Sequence, residues 1–279
     1  MSANHLSQRM RSSAGEVAYG AAGSGPDLLL IHGTPFSSRI WSSVIDRLSS
    51  RFRIHFLDLP GYGRSDKFEG QEVRLRSFAR VLREFVEHVG LRRPHLVGHD
   101  FGAAAVLGAH LIENVEVSSL TIADGVVLNP WGTDYSMLVH RNEAVFRSLP
   151  SYIHRAALAA HLSTAAARPI PADLQEELLT PWIGDVGQPA YYRQVAQYDH
   201  EYTARLETMY GRIQAPTLIL WGEQDRWMDV SVGQRLNQLI LGSRLEILPD
   251  AGHLSMVDCP GLFARFLGEW LHSHKARLC

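Results

Sequence analysis

In Gly98-His99-Asp100-Phe101-Gly102-Ala103, one acidic side chain stands among very small residues at the end of an apolar run. A short apolar run bounded by glycine suits a buried strand. The Gly-Ala-rich run after it, through Leu107 and Gly108, suits a helix packed tightly on a sheet. A sharp strand-to-helix turn needs small neighbours, because a side chain there collides with the adjacent backbone. Gly98, Gly102 and Ala103 meet that need and leave Asp100 projecting at the apex. The pattern is G-x-Nu-x-G with aspartate in the usual serine position. An aspartate there would equally serve as a helix N-cap, so the motif needs its context.

Two further residues supply that context. The apolar run 217–221 leads into Gly222-Glu223-Gln224-Asp225, and the run 245–248 into Asp250-Ala251-Gly252-His253. The order Asp100, Asp225, His253 is that of nucleophile, acid and histidine. Asp124 also follows a strand-like run, 119–123, and is the alternate acid. His32-Gly33-Thr34-Pro35 follows another, 28–31. The elements needed to position these residues are legible in outline. Apolar strand-like runs at 28–31, 96–98, 119–124, 215–221 and 245–248, with an alternating polar–apolar one at 53–58, alternate with helical patterns at 41–48, 78–89 and 262–271, after an edge strand at 16–19. Such alternation predicts an α/β architecture, a mostly parallel sheet with helices on both faces. Ligands then collect beyond the C-terminal ends of the strands. The alternation stops between 127 and 211, a proline-punctuated stretch rich in Ala, Leu, Tyr and Trp. The expected organisation is therefore core 1–126, helical cap 127–211 and core 212–279.

With these motifs in order, the chain resembles the α/β-hydrolase family, in particular its aspartate-nucleophile branch of epoxide hydrolases and haloalkane or haloacetate dehalogenases. The resemblance covers essentially the whole chain and is weakest in the cap. It implies that backbone N–H groups of Thr34 and Phe101 form an oxyanion hole, that His253 is the base, and that Asp225, or alternatively Asp124, orients it. Ala190-Tyr191-Tyr192-Arg193 resembles a cap segment ending in Tyr-Arg, which points to Tyr192 as an acid on the leaving group. Tyr152 is the second ring expected there, with Tyr135 and His154 behind it. The dehalogenases instead hold halide with Trp after the nucleophile, or a substrate carboxylate with arginines nearby. Here Phe101 and Ala104 stand at those positions, which counts against both, although Trp182 or Trp131 could supply an indole N–H.

The residue type narrows the chemistry independently. A carboxylate attacking an ester or amide would give an anhydride, a poor intermediate. Attack on an sp³ carbon bearing a leaving group gives an ordinary ester, which water activated by a histidine hydrolyses. An epoxide oxygen or a halide fits as leaving group, and epoxide opening to a vicinal diol is the expected reaction. Dehalogenation is the alternative, and a non-catalytic scaffold that binds a small ligand is a second one. Nucleophile, base and oxyanion donors are all protein groups, so no cofactor or metal is expected.

The remaining composition excludes rather than assigns. The 279 residues are 46% hydrophobic and 20% charged with net charge −2, so no basic field draws the chain to nucleic acid or an anionic membrane. Two cysteines, Cys259 and Cys279, make neither a disulfide framework nor a metal cluster. The N-terminal residues lack a signal peptide's apolar core, and no stretch reaches membrane-span length. The expected setting is a reducing cytoplasm, and the expected partners are a small apolar organic substrate and water. Oligomeric state is not encoded legibly.

Overall fold

Continuous apolar runs build the centre of the sheet, and they do so because both of its faces are covered. The computed structural model describes residues 6–274; Lys275 and Cys279 lie outside them. Its strands are β1 (Gln8–Ser12), β2 (Gly15–Ala22), β3 (Asp27–Ile31), β4 (Arg53–Leu57), β5 (His95–His99), β6 (Ser119–Ala123), β7 (Thr217–Gly222) and β8 (Arg244–Leu248). They form one sheet in the order β1-β2-β4-β3-β5-β6-β7-β8. The β1–β2 and β2–β4 pairs are antiparallel and every later neighbour is parallel. Every residue of β5, β6 and β7 is buried. β1, by contrast, buries only Met10, so its Gln-Arg-Met-Arg-Ser sequence gives no apolar signal. The sequence places the edge at residues 16–19; the structure adds β1 outside it.

The helices are α1 (Ser42–Leu48), α2 (Leu75–Val89), α3 (Phe101–Leu111), α4 (Asp134–Arg141), α5 (Glu143–Arg147), α6 (Ser151–Ser163), α7 (Ala172–Leu179), α8 (Gly184–Ala196), α9 (His200–Glu207), α10 (Val230–Leu239), α11 (Ser255–Asp258) and α12 (Pro260–Ser273). α2 illustrates why these segments are helical: Leu75, Phe78, Leu82 and Phe85 recur at helical spacing and are buried. Gly90, left-handed at φ 73°, ends it with its N–H on the Val86 and Glu87 carbonyls. No helix among the described residues is long and apolar enough to cross a membrane.

Residues 124–216 connect β6 to β7 and contain α4 to α9 but no strand. These helices are tied to loops at the carboxyl ends of the strands. The Trp182 indole N–H donates to the Pro35 carbonyl at 2.6 Å, and the Thr34 hydroxyl donates to Gln194 at 3.0 Å. Arg76 grips Asp199 through two bonds of 2.8 and 3.0 Å, and Arg39 pairs with Glu177. All but the Arg76 tie land on the segment just after β3.

Candidate active site

β5 turns into α3 at Asp100, whose φ of 51° and ψ of −117° lie where non-glycine residues rarely go. Strain of this kind persists only where the surroundings over-determine it. Here they do. A Cβ on Gly98 would overlap the Gly102 carbonyl, and one on Gly102 would overlap the carbonyl of Ile31 on β3. Both glycines are thus required by backbone approach. Asp100 does not act as an N-cap: among the described residues its side chain makes no capping bond to α3. Its buried carboxylate instead accepts the Thr34 N–H on Oδ1 at 2.6 Å. The other oxygen, Oδ2, lies 3.4 Å from Nε2 of His253.

His253 is fully buried and donates from Nδ1 to Oδ2 of Asp225 at 2.9 Å. The second oxygen of Asp225 accepts the N–H groups of Trp227 and Met228, at 2.8 and 2.9 Å, which fixes the carboxylate's orientation. Asp124 is equally buried but points elsewhere, accepting from the Gly222 N–H at 2.7 Å and from the Ser255 hydroxyl. Burial, reinforced by the charge of Asp225, raises its pKa well above the usual carboxylate range. His99 packs against the His253 ring and donates to the His253 carbonyl at 2.9 Å. Burial and the neighbouring imidazole lower its own pKa, so it stays neutral.

Burial alone would strip His253 of its charge, but Asp225 and Asp100 together overcome it and hold the pKa up at about 10. The resting imidazole is therefore a cation between two carboxylates. A folded-state pKa above the unfolded value of about 6.5 stabilises the fold fully below that pH, and the contribution disappears as pH rises through about 10. The melting-temperature gap between native protein and His253→Gln should accordingly shrink from pH 6.5 to 10.5. A gap independent of pH would contradict the ion-paired histidine.

A small cavity opens over Asp100, walled by Phe101, Trp131, Tyr191, Gln194, Tyr198 and Trp227. Three sequence expectations need correction here. Tyr192 faces away from the cavity: its hydroxyl donates to Nδ1 of His154 at 2.8 Å, and His154 donates from Nε2 to the Trp182 carbonyl. Tyr152 is 71% exposed on α6 and cannot reach the buried carboxylate. Trp182 is buried, but its N–H is spent on Pro35, so it braces the loop carrying Thr34 rather than lining the cavity. The rings that do line it are Tyr191 and Tyr198, with the Tyr135 hydroxyl near Tyr191. Burial raises the pKa of both lining tyrosines, keeping them protonated. His161 also lines the cavity, stacked on Trp227, and burial with the nearby His253 pushes it down to about 4. The signal for the missed residues was helical spacing: Tyr191, Gln194 and Tyr198 recur at i, i+3 and i+7, one face of α8 and its extension.

Indole donors are already engaged. Trp131 donates to the Thr203 hydroxyl and Trp227 to that of Thr164, each at 2.9 Å. Among the described residues no group of three or more His, Cys, Asp or Glu side chains is arranged to hold a metal ion.

An eight-stranded sheet carrying a strained acid at its elbow, with a histidine and second acid at later strand ends, defines an α/β-hydrolase. The model of the alpha/beta hydrolase family matches residues 28–266, and the chain belongs to that family. It is 30% identical to haloalkane dehalogenase 2 of Mycobacterium tuberculosis, over 92% of each chain. It is 26% identical to a monoacylglycerol lipase of Xenopus laevis, over 91% of this chain and 77% of the lipase. A crystal structure of an alpha/beta hydrolase fold protein from Burkholderia ambifaria superposes with a TM-score of 0.91 at 35% identity, over 95% of this chain and 99% of the other. The protein is a hydrolase enzyme.

Proposed function

We propose that this hydrolase opens an epoxide to a vicinal diol through an ester on Asp100, with residues 127–211 acting as a cap over the site. The observation that carries the reading is the split environment of the Asp100 carboxylate, one oxygen on the Thr34 N–H and the other facing His253. Oδ2 attacks the less hindered epoxide carbon, the carbon–oxygen bond breaks, and the electron pair leaves on oxygen. Forming the ester removes the Asp100 charge, so His253 loses one of the two carboxylates that hold its proton. That proton moves to the alkoxide, with Tyr191 and Tyr198 donating hydrogen bonds to the developing charge. Neutral His253, still oriented by Asp225, then takes a proton from water as the water oxygen attacks the Asp100 carbonyl carbon. The oxyanion forms on Oδ1, where the Thr34 N–H already points and the Phe101 N–H joins it; such fixed donors are worth about 3 kcal/mol each. Collapse expels the diol and returns the proton. Epoxide and water are consumed and nothing else is. A small, mainly apolar substrate suits the aromatic walls, and a reducing cytoplasm suits the chain's sparse cysteines.

Two tyrosines on the cap side, together with indole donors already bonded to protein, favour an oxygen leaving group over a halide cradle built from tryptophan. The mycobacterial relative favours the second reading, carbon–halogen hydrolysis by the same ester. Intact-protein mass spectrometry on His253→Gln separates them. A gain equal to the whole epoxide, absent in Asp100→Asn, is expected. A gain equal to an alkyl group without its halogen would replace epoxide hydrolysis with dehalogenation, and no adduct from either class, in His253→Gln or on rapid quench of the native chain, would overturn the ester mechanism.

A further inference from the structure

Gln194 is 1% exposed and lies in the wall of the Asp100 cavity. Its carboxamide is held from one end. The Thr34 and Tyr62 hydroxyls both donate to Oε1, each at 3.0 Å. With the oxygen so fixed, the amide nitrogen must turn the other way, and among the described residues Nε2 has no hydrogen-bond partner. An amide donor in the wall of the cavity is free to bond an acceptor on a bound molecule. Tyr62 itself comes from the turn Gly61-Tyr62-Gly63, where Gly63 has no room for a side chain because Asp58 fills the space. Asp58 in turn accepts the Ser38 and Arg64 N–H groups, so the turn that delivers the Tyr62 hydroxyl is itself braced.

We propose that Gln194 is a catalytic hydrogen-bond donor to the leaving atom of the substrate, placed between Tyr191 and Tyr198 on one helical face. The inference rests on the ester mechanism above. Thr34 links the two halves of the site: its N–H holds Oδ1 of Asp100 and its hydroxyl holds Gln194. An acceptor displaced from a carbon by Asp100 therefore departs within the same small cavity that the Gln194 amide faces. A carboxamide cannot surrender a proton at neutral pH, so Gln194 polarises the breaking bond while the proton arrives from His253. The donor is needed when the leaving atom gains charge and is idle while the ester is hydrolysed.

That separation in time is the test. With 1,2-epoxyhexane and phenyloxirane as probes, mass gain in a His253→Gln background reports alkylation alone. Quenched-flow decay of the ester in the otherwise native chain reports hydrolysis. Gln194→Met and Gln194→Glu, both lacking the N–H donor, should slow alkylation by about 10- to 100-fold and leave hydrolysis unchanged. Gln194→Glu keeps an oxygen for Thr34 and Tyr62 but adds an acid beside Asp100. Gln194→Met therefore decides the alkylation step, and Gln194→Glu checks that hydrolysis survives with the anchor kept. Equal slowing of both steps would reduce Gln194 to a brace for the Thr34 loop, and native alkylation in Gln194→Met would also overturn the proposal while leaving the ester mechanism standing. Absence of any adduct with Gln194 intact, in His253→Gln and on rapid quench of the native chain alike, would instead remove the ester mechanism, and this role with it.

Discussion

Asp225→Asn is expected to lower kcat by about 10⁴-fold and to lower the melting temperature as well, since it removes the charge that holds the His253 proton. Asp124→Asn is expected to lower stability and leave kcat near native. The loss at 225 follows from the tautomer. An asparagine can keep the Trp227 and Met228 N–H groups on its oxygen, as Asp225 does now. It then presents NH₂ to Nδ1 of His253 and forces the ring proton onto Nε2, where water's proton should go. The same change in a serine triad costs about 10⁴-fold. Asp124 makes no hydrogen bond to His253; it ties β6 to Gly222 at the end of β7 and to Ser255 of α11. Asparagine there can keep the Gly222 N–H on its oxygen only if the Ser255 hydroxyl turns from donor to acceptor, at about 1 kcal/mol. Steady-state rates and thermal melts on both variants decide the matter. Lost turnover in Asp124→Asn at native stability would make Asp124 the orienting acid.

Gly33→Ala is expected to lower kcat/KM by at least about 10³-fold. Gly33 is not among the positive-φ residues, so its backbone tolerates alanine. The space does not. A Cβ there would overlap both Oδ1 and Cβ of Asp100. Either the carboxylate swings off the Thr34 N–H or the loop retreats from it. Loss of one oxyanion donor costs about 10²–10³-fold, and a nucleophile displaced by ~1 Å about 10²-fold more. Gly261→Ala, which meets nothing within 4 Å, is the control and should be silent. Near-native turnover in Gly33→Ala would mean that the Thr34 contact to Asp100 has no part in the reaction.

The fold was legible because its central strands are uninterrupted apolar runs, and residues at their ends carry their own signatures. Gly98 and Gly102 mark the elbow since a methyl group at either collides with backbone. Sequence order favours Asp225 over Asp124 without deciding between them, because each follows a strand and only the loop geometry aims one at Nδ1 of His253. The cap was harder for a different reason. Adjacent helical residues point about 100° apart, so resemblance to a Tyr-Arg segment named Tyr192, whereas its neighbour Tyr191 is the one that lines the cavity. Tyr152 sits on a helix whose inward face is set by α7 and α8, packing that no local pattern encodes. Trp182 reads as a cavity aromatic by type and acts as a brace because Pro35 offers a carbonyl at hydrogen-bond distance.

The helices between β6 and β7 and the loop after β3 share their fastenings: Gln194 to Thr34, Trp182 to Pro35, Glu177 to Arg39. Thr34 is also the residue that steadies Asp100. A motion that lifts α7 and α8 off the sheet therefore unfastens the nucleophile's own support. The two parts are in effect interlocked: displacing these helices from the loop would break the contacts that seat Thr34 against Asp100.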